Sequence, residues 1–146
     1  MKKLFYVLCP LVLVIGACNV ADEADYEAMA GDICTCVNKN TDSISEGMKT
    51  AIIDAVKSGK DLETAMSEHM MKDPEQGMKD AGFMMGLEVG MTTCMTELES
   101  KYKDVYSTDS EKVIQDKLIK KLEENKECGF TYAIVKLGTQ EMEKGN

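Results

Sequence analysis

A chain of 146 residues with 44% hydrophobic content is long enough for one ordinary core and too apolar to stay disordered, so a single domain is expected. Aromatic content is 5% with no Trp, which makes that core aliphatic and methionine-rich. Its 26 carboxylates face 17 basic groups, all of them Lys, and an acidic surface without guanidinium forks is a poor match for nucleic acid or phosphate.

The N-terminus comes first. Lys2 and Lys3 precede an apolar run from Leu4 to Ile15, 12 residues long, where a bilayer span needs about 20. The run ends in Ile15-Gly16-Ala17-Cys18, an aliphatic residue and two small ones before a Cys. This stretch resembles the lipobox of bacterial lipoprotein precursors. The resemblance implies that residues 1–17 are a signal peptide and that the Cys18 thiol takes a diacylglycerol. Cleavage then leaves Cys18 as the new N-terminus, its amine usually acylated, palmitate being the expected kind of chain. Two or more chains hold a protein on a membrane stably, where one is marginal. Asn19 after the Cys points to the outer membrane, with the domain facing the periplasm or the cell exterior. Lys2, Lys3, Cys9 and Pro10 leave with the signal, so 17 lysines become 15 against 26 carboxylates and the charge moves from −9 to about −11. Residues 18–22 form the anchor and a tether reaching roughly 15 Å. Residues 23–146 form the domain.

That domain reads as helical throughout. Asp22 caps a helix to about Asn38 with Tyr26, Met29, Ala30, Ile33 and Val37 on one face. Ser43-Ile44-Ser45-Glu46 has the form of a capping box and opens a second helix, which Gly59 stops. Asp61 caps a short third helix. Asp73-Pro74 starts a long fourth one running to about Lys103. Thr108-Asp109-Ser110-Glu111 is a second capping-box pattern, opening a fifth helix with Val113, Ile114, Leu118, Ile119 and Leu122 as its apolar positions. Phe130 to Val135 has strand propensity, yet Phe130, Ala133, Ile134 and Leu137 fit a helical face, so a sixth helix is expected. The fold class is therefore all-α, a compact bundle of five or six helices.

Four cysteines remain in the domain: Cys34, Cys36, Cys94 and Cys128. An exported chain with an even count points to two disulfides. Cys34 and Cys36 lie two residues apart and point about 200° from each other on a helix, so they cannot bond together there. One reaches Cys94 and the other Cys128, and the sequence leaves open which. A redox-active Cys34/Cys36 motif is the functional alternative, and a zinc or iron–sulfur site a further one.

On the fourth helix Gly82, Gly86 and Gly90 recur every four residues with Cys94 next on the same ridge. Glycines cost helix stability, so the row predicts a seam where another helix backbone lies close, or a groove for a protein or small apolar ligand. Eight methionines fall between Met66 and Met95, and the one His sits among them in Met66-x-x-His69-Met70. Thioethers with an imidazole suit Cu(I), so Met66, His69 and Met70 are the metal candidates. The alternatives are Met as flexible core filler and a Met-rich groove for a helical or lipidic ligand, with a haem held by His and Met a remoter one. No Ser/His/acid or phosphate-loop pattern accompanies His69, and Glu123-Glu124 lie beside lysines on a solvated helix, so no catalytic site and no cofactor are expected. In architecture the domain resembles small Cys-bearing helical lipoproteins of bacteria. The expectation is a membrane-anchored, non-catalytic binding or structural module, with copper binding and thiol redox chemistry as alternatives.

Overall fold

The computed structural model describes residues 21–144, and among them every regular element is helical. In chain order these are α1 (Glu23–Asn40), α2 (Glu46–Ser58), α3 (Leu62–Lys72), α4 (Pro74–Lys101), α5 (Lys103–Thr108), α6 (Glu111–Glu124), a 3-10 turn (Lys126–Cys128) and α7 (Gly129–Lys144).

Most boundaries follow from capping. The Asp22 carboxylate accepts from Asp25 N at 3.0 Å and the Asp25 carboxylate from Asp22 N at 3.1 Å, a reciprocal box that opens α1. Gly59 ends α2 at φ 70°, where a side chain would be strained. Asp61 accepts from Thr64 N at 2.7 Å to start α3, and Asp73 accepts from Gln76 N at 3.1 Å ahead of Pro74 to start α4.

Both other capping-box expectations need correction. Ser45, not Ser43, caps α2, its Oγ accepting from Met48 N at 3.2 Å. The residues before it form a turn closed by Ile44 N to Thr41 O, which sends Ile44 into the core. Thr108 and Glu111 make no box either. The Thr108 hydroxyl donates back to Asp104 O at 2.8 Å, closing α5, and the helix after it starts behind Ser110 without a side-chain cap.

The fourth helix ends at Lys101, close to the expected Lys103, and a short helix not foreseen from the sequence, α5, follows Tyr102. This residue is buried and its hydroxyl donates to Asp32 on α1 at 2.7 Å. The short α5 that follows turns Val105 into the core and brings Asp109 to the Tyr26 hydroxyl and to Lys117 Nζ, the latter at 3.1 Å. That additional element is why seven α-helices stand where five or six were expected.

α1 is the central element, packed against α4, α6 and α7, while α2 lies on α3 and α7 and α3 on α4. Tyr26, Met29 and Val37 on α1, Met48 and Ile52 on α2, Leu122 on α6 and Ala133 on α7 have no solvent exposure. Each buried Met or Ile contributes roughly 1.5–3 kcal/mol by loss of apolar surface from water. That burial overrides the strand propensity of residues 130–135: Phe130, Ala133 and Leu137 are all buried from one helical face. No helix among the described residues is long and apolar enough to cross a membrane.

Candidate functional site

The disulfides organise α1. Cys34 pairs with Cys128 and Cys36 with Cys94, with Cα atoms 5.4 Å and 6.2 Å apart, which resolves the pairing left open by the sequence. The two bonds differ in setting. Cys34 and Cys128 are both buried, whereas Cys36 is half-buried and its bond to Cys94 lines a cleft of about 510 Å³ between α1 and α4. The helices run antiparallel there, Asn40 lying by Gly90 at one end and Asp32 meeting Lys101 and Tyr102 at the other. Those two partners, Lys101 foremost, hold the Asp32 carboxyl below its ordinary range. Asn40 donates from Nδ2 to Cys36 O at 2.9 Å and points the same amide at both sulfurs, each 3.5 Å away. Cys34 and Cys36 thus lie in two separate bonds, of which Cys36–Cys94 is the open one.

The glycine seam needs correction. A Cβ on Gly90 would fall 2.4 Å from Asn40 Oδ1, so this glycine does admit a neighbour. A Cβ on Gly82 or Gly86 would meet nothing within 4 Å among the described residues. The reason is geometric: four residues advance a helix by about 40° beyond a full turn. A ridge of period four therefore winds around α4, from solvent at Gly82 to the α1 contact at Gly90 and Cys94.

What the outer side of α4 does carry is apolar. Met78, Gly82, Met85 and Val89 follow spacings of four, three and four, so they share one face. Met78 is 66% exposed, Met85 81% and Val89 74%. Phe83 is exposed beside them, and Met70 and Met71 at the α3–α4 corner. The opposite face holds Leu87, Cys94 and Leu98, all buried, with Met84 and Met91 packed partly against the core. The Met-as-filler expectation therefore fits Met84 and Met91 but not Met95, which is exposed.

The metal candidates lie in two places. Met66 and Met70 line a shallow groove with Leu62, Glu63 and Ser67. His69 turns instead to α4 and α2, donating from Nε2 to Asp80 at 3.0 Å with its ring edge over Gly47. Among the described residues no three His, Cys, Asp or Glu side chains gather as a metal site.

Asp80 was not singled out by the sequence reading. It has no solvent exposure and accepts from Ser45 N (2.9 Å), Ser45 Oγ (2.6 Å), Gln76 Nε2 (3.1 Å) and His69 Nε2 (3.0 Å). Burial alone would raise its pKa, but the hydrogen bonds, led by Ser45 Oγ, outweigh it and hold the carboxyl below its usual value. The available signal was a lone carboxylate seven residues before Leu87 on the buried face of α4. In a hydrolytic triad the imidazole stands between acid and nucleophile; here the carboxylate stands between Ser45 and His69, an arrangement that ties α2, α3 and α4 together. Glu123 and Glu124 sit at the surface, Glu123 accepting from the Tyr132 hydroxyl at 3.0 Å and Glu124 3.9 Å from Lys121.

Cys18, the expected signal peptide and most of the expected tether lie outside the described residues. The nearest described residue, Ala21, lines a pocket with Tyr102, Asp104 and Val105, so the described chain begins next to the C-terminal end of α4. In comparison with protein-family models, curated proteins and solved structures, the chain matches none.

Proposed function

We propose that this chain is a membrane-anchored lipoprotein, lipidated on Cys18, whose helical domain is a non-catalytic module that binds a helical partner through the outer face of α4. The observation that carries the binding part is that α4 places three large apolar side chains and two glycines on a face its own fold leaves open. Large exposed apolar patches on a soluble domain mark interaction sites, and small residues at four-residue spacing suit a helix rather than a small ligand. The tether supports the arrangement. Met85 lies 17 residues from Tyr102, about 26 Å along the helix axis, so the face stands away from the attachment point.

The test is the intact mass of protein extracted from cells, with and without Cys18→Ser. A chain that begins at acylated Cys18, and a variant that retains residues 1–17 and carries no lipid, are the expected results. A wild-type chain without acyl mass overturns the anchor. Its face is then tested by the association of the whole protein.

A further inference from the structure

We propose that the occupant of the α4 face is the same face of a second copy, the two α4 helices crossing in parallel near Gly82 and Met85. The pairing rests on α4 itself; the parallel sense rests on the anchored reading above.

Gly82 and Gly86 are the starting point. A glycine inside a helix is worse for the helix than an alanine. Gly90 shows a glycine the fold uses, since Asn40 occupies the space a side chain would take. Gly82 and Gly86 border open space, so nothing among the described residues offsets their cost. A helix backbone arriving from outside would.

The face is complementary to itself. Met78, Met85 and Val89 project as knobs, and Gly82 and Gly86 leave hollows between them on the same helix. A twofold contact needs one patch to supply both parts. Charge narrows the choice further. The domain carries about −11, so two copies can touch only where carboxylates do not meet. From Met78 to Ser100 the positions centred on this face are apolar, small or hydroxylated, with no ionisable side chain among them, in a chain that is 29% charged. A partner chosen by opposite charge would find no carboxylate here to bind. A lipid surface has no use for backbone hollows, and an anionic one repels the domain.

The tether sets the direction. Cys18 is three residues from Ala21, a reach of about 11 Å, against about 42 Å for the 28-residue α4. Two copies held in one leaflet thus keep the same end of α4 toward the membrane, which makes the crossing parallel and puts residue 85 beside residue 85 of the partner copy. A single helix crossing buries less than the roughly 800 Å² per partner of a standard interface. Confinement to a leaflet raises the effective concentration that compensates.

The experiment uses the whole lipoprotein in phosphatidylcholine vesicles. A photo-crosslinking residue replaces Val89, or as control Val113, which is exposed on α6 away from this face. A species of twice the protomer mass from position 89 and none from 113 is expected. Met85→Glu and Met85→Lys should each weaken association by more than about 100-fold, and mixing the two variants should restore it. Position 85 is 81% exposed, so unchanged melting curves should show both variants folded. No crosslink at 89, a dimer that both charged variants retain, or no rescue on mixing overturns the proposal. Intact mass of the same sample reads the anchor separately: acylated monomers fell the pairing alone, and an unacylated dimer broken by Met85→Glu fells the anchor alone.

Discussion

Replacing the four glycines of α4 by alanine, one at a time, should give opposite signs along one helix. Gly82→Ala and Gly86→Ala add a methyl group to open space and gain helix propensity, about 1 kcal/mol each. Together they should raise the melting temperature by roughly 6–8 °C, at about 3–4 °C per kcal/mol for a chain of this length. Gly77→Ala goes the other way. Its Cβ would lie 2.7 Å from Met70 Cα, a backbone atom that cannot step aside, so overpacking of about 1–3 kcal/mol outweighs the propensity gain. Gly90→Ala should be near neutral: the Asn40 amide is exposed and can swing away, losing its bond to Cys36 O, about 1 kcal/mol against about 1 gained. The assay is thermal and denaturant unfolding of the oxidised protein at concentrations where it is monomeric, followed by helical circular dichroism. Destabilisation by Gly82→Ala or Gly86→Ala would refute the reasoning, because it would mean that the protomer itself uses these glycines.

Asp80→Ala should cost about 3–5 kcal/mol in the same assay, since it strands the donors of Ser45, Gln76 and His69 in the interior; a loss under 1 kcal/mol would show the network to be dispensable. The Asp80 pKa is depressed in the folded state, so its stabilisation is full above the ordinary carboxylate value and drains as pH falls through the folded one. Wild type should therefore lose its advantage over Asp80→Asn below about pH 4, and a gap that stays constant from pH 7 to pH 3 would contradict this. Mild reductant under native conditions, followed by alkylation and peptide mapping, should label Cys36 and Cys94 before Cys34 and Cys128; simultaneous labelling of all four would mean that only global unfolding exposes them. Thr131→Val should stabilise the domain by about 1 kcal/mol, because the Thr131 hydroxyl is buried without a hydrogen-bond partner among the described residues, and an unchanged or lower midpoint would reveal a partner such as a bound water.

How much of this was legible from the residues depends on how local the cause was. Helix starts marked by Asp22, Asp61 and Asp73, and the stop at Gly59, are decided within four residues and could be read off directly. Ser43 and Thr108 satisfied the same pattern and failed, because Ile44 and Asp109 had stronger demands, one from the core and the other from Tyr26 and Lys117. That Cys34 and Cys36 had to take different partners followed from helix geometry alone. Which partner each took required knowing that α4 runs antiparallel to α1. The glycine ridge was visible, but its drift around the helix was left out, and with it the separation of Gly82 and Gly86 from Gly90. His69 among methionines looked like a soft-metal cluster only while Asp80, 11 residues on, was out of view.

The disulfide between Cys36 and Cys94 also sets the mechanical character of the domain. A pull on the N-terminal end enters α1 and within its length meets two covalent crosslinks, at Cys34 and at Cys36. The second passes the load straight to α4, so tension between the N-terminus and a grip at Met85 and Val89 enters α4 at Cys94 and bypasses residues 37–84. α2, α3 and the Asp80 junction then sit in a slack loop that bears no force. On the N-terminal side of that bond, stretching can extend only the chain before α1 and the first turns of α1, about 45 Å for the 13 residues from Ala21 to Cys34, before it strains bonds rather than folds. In mechanical terms the domain is a short leash on a rigid handle.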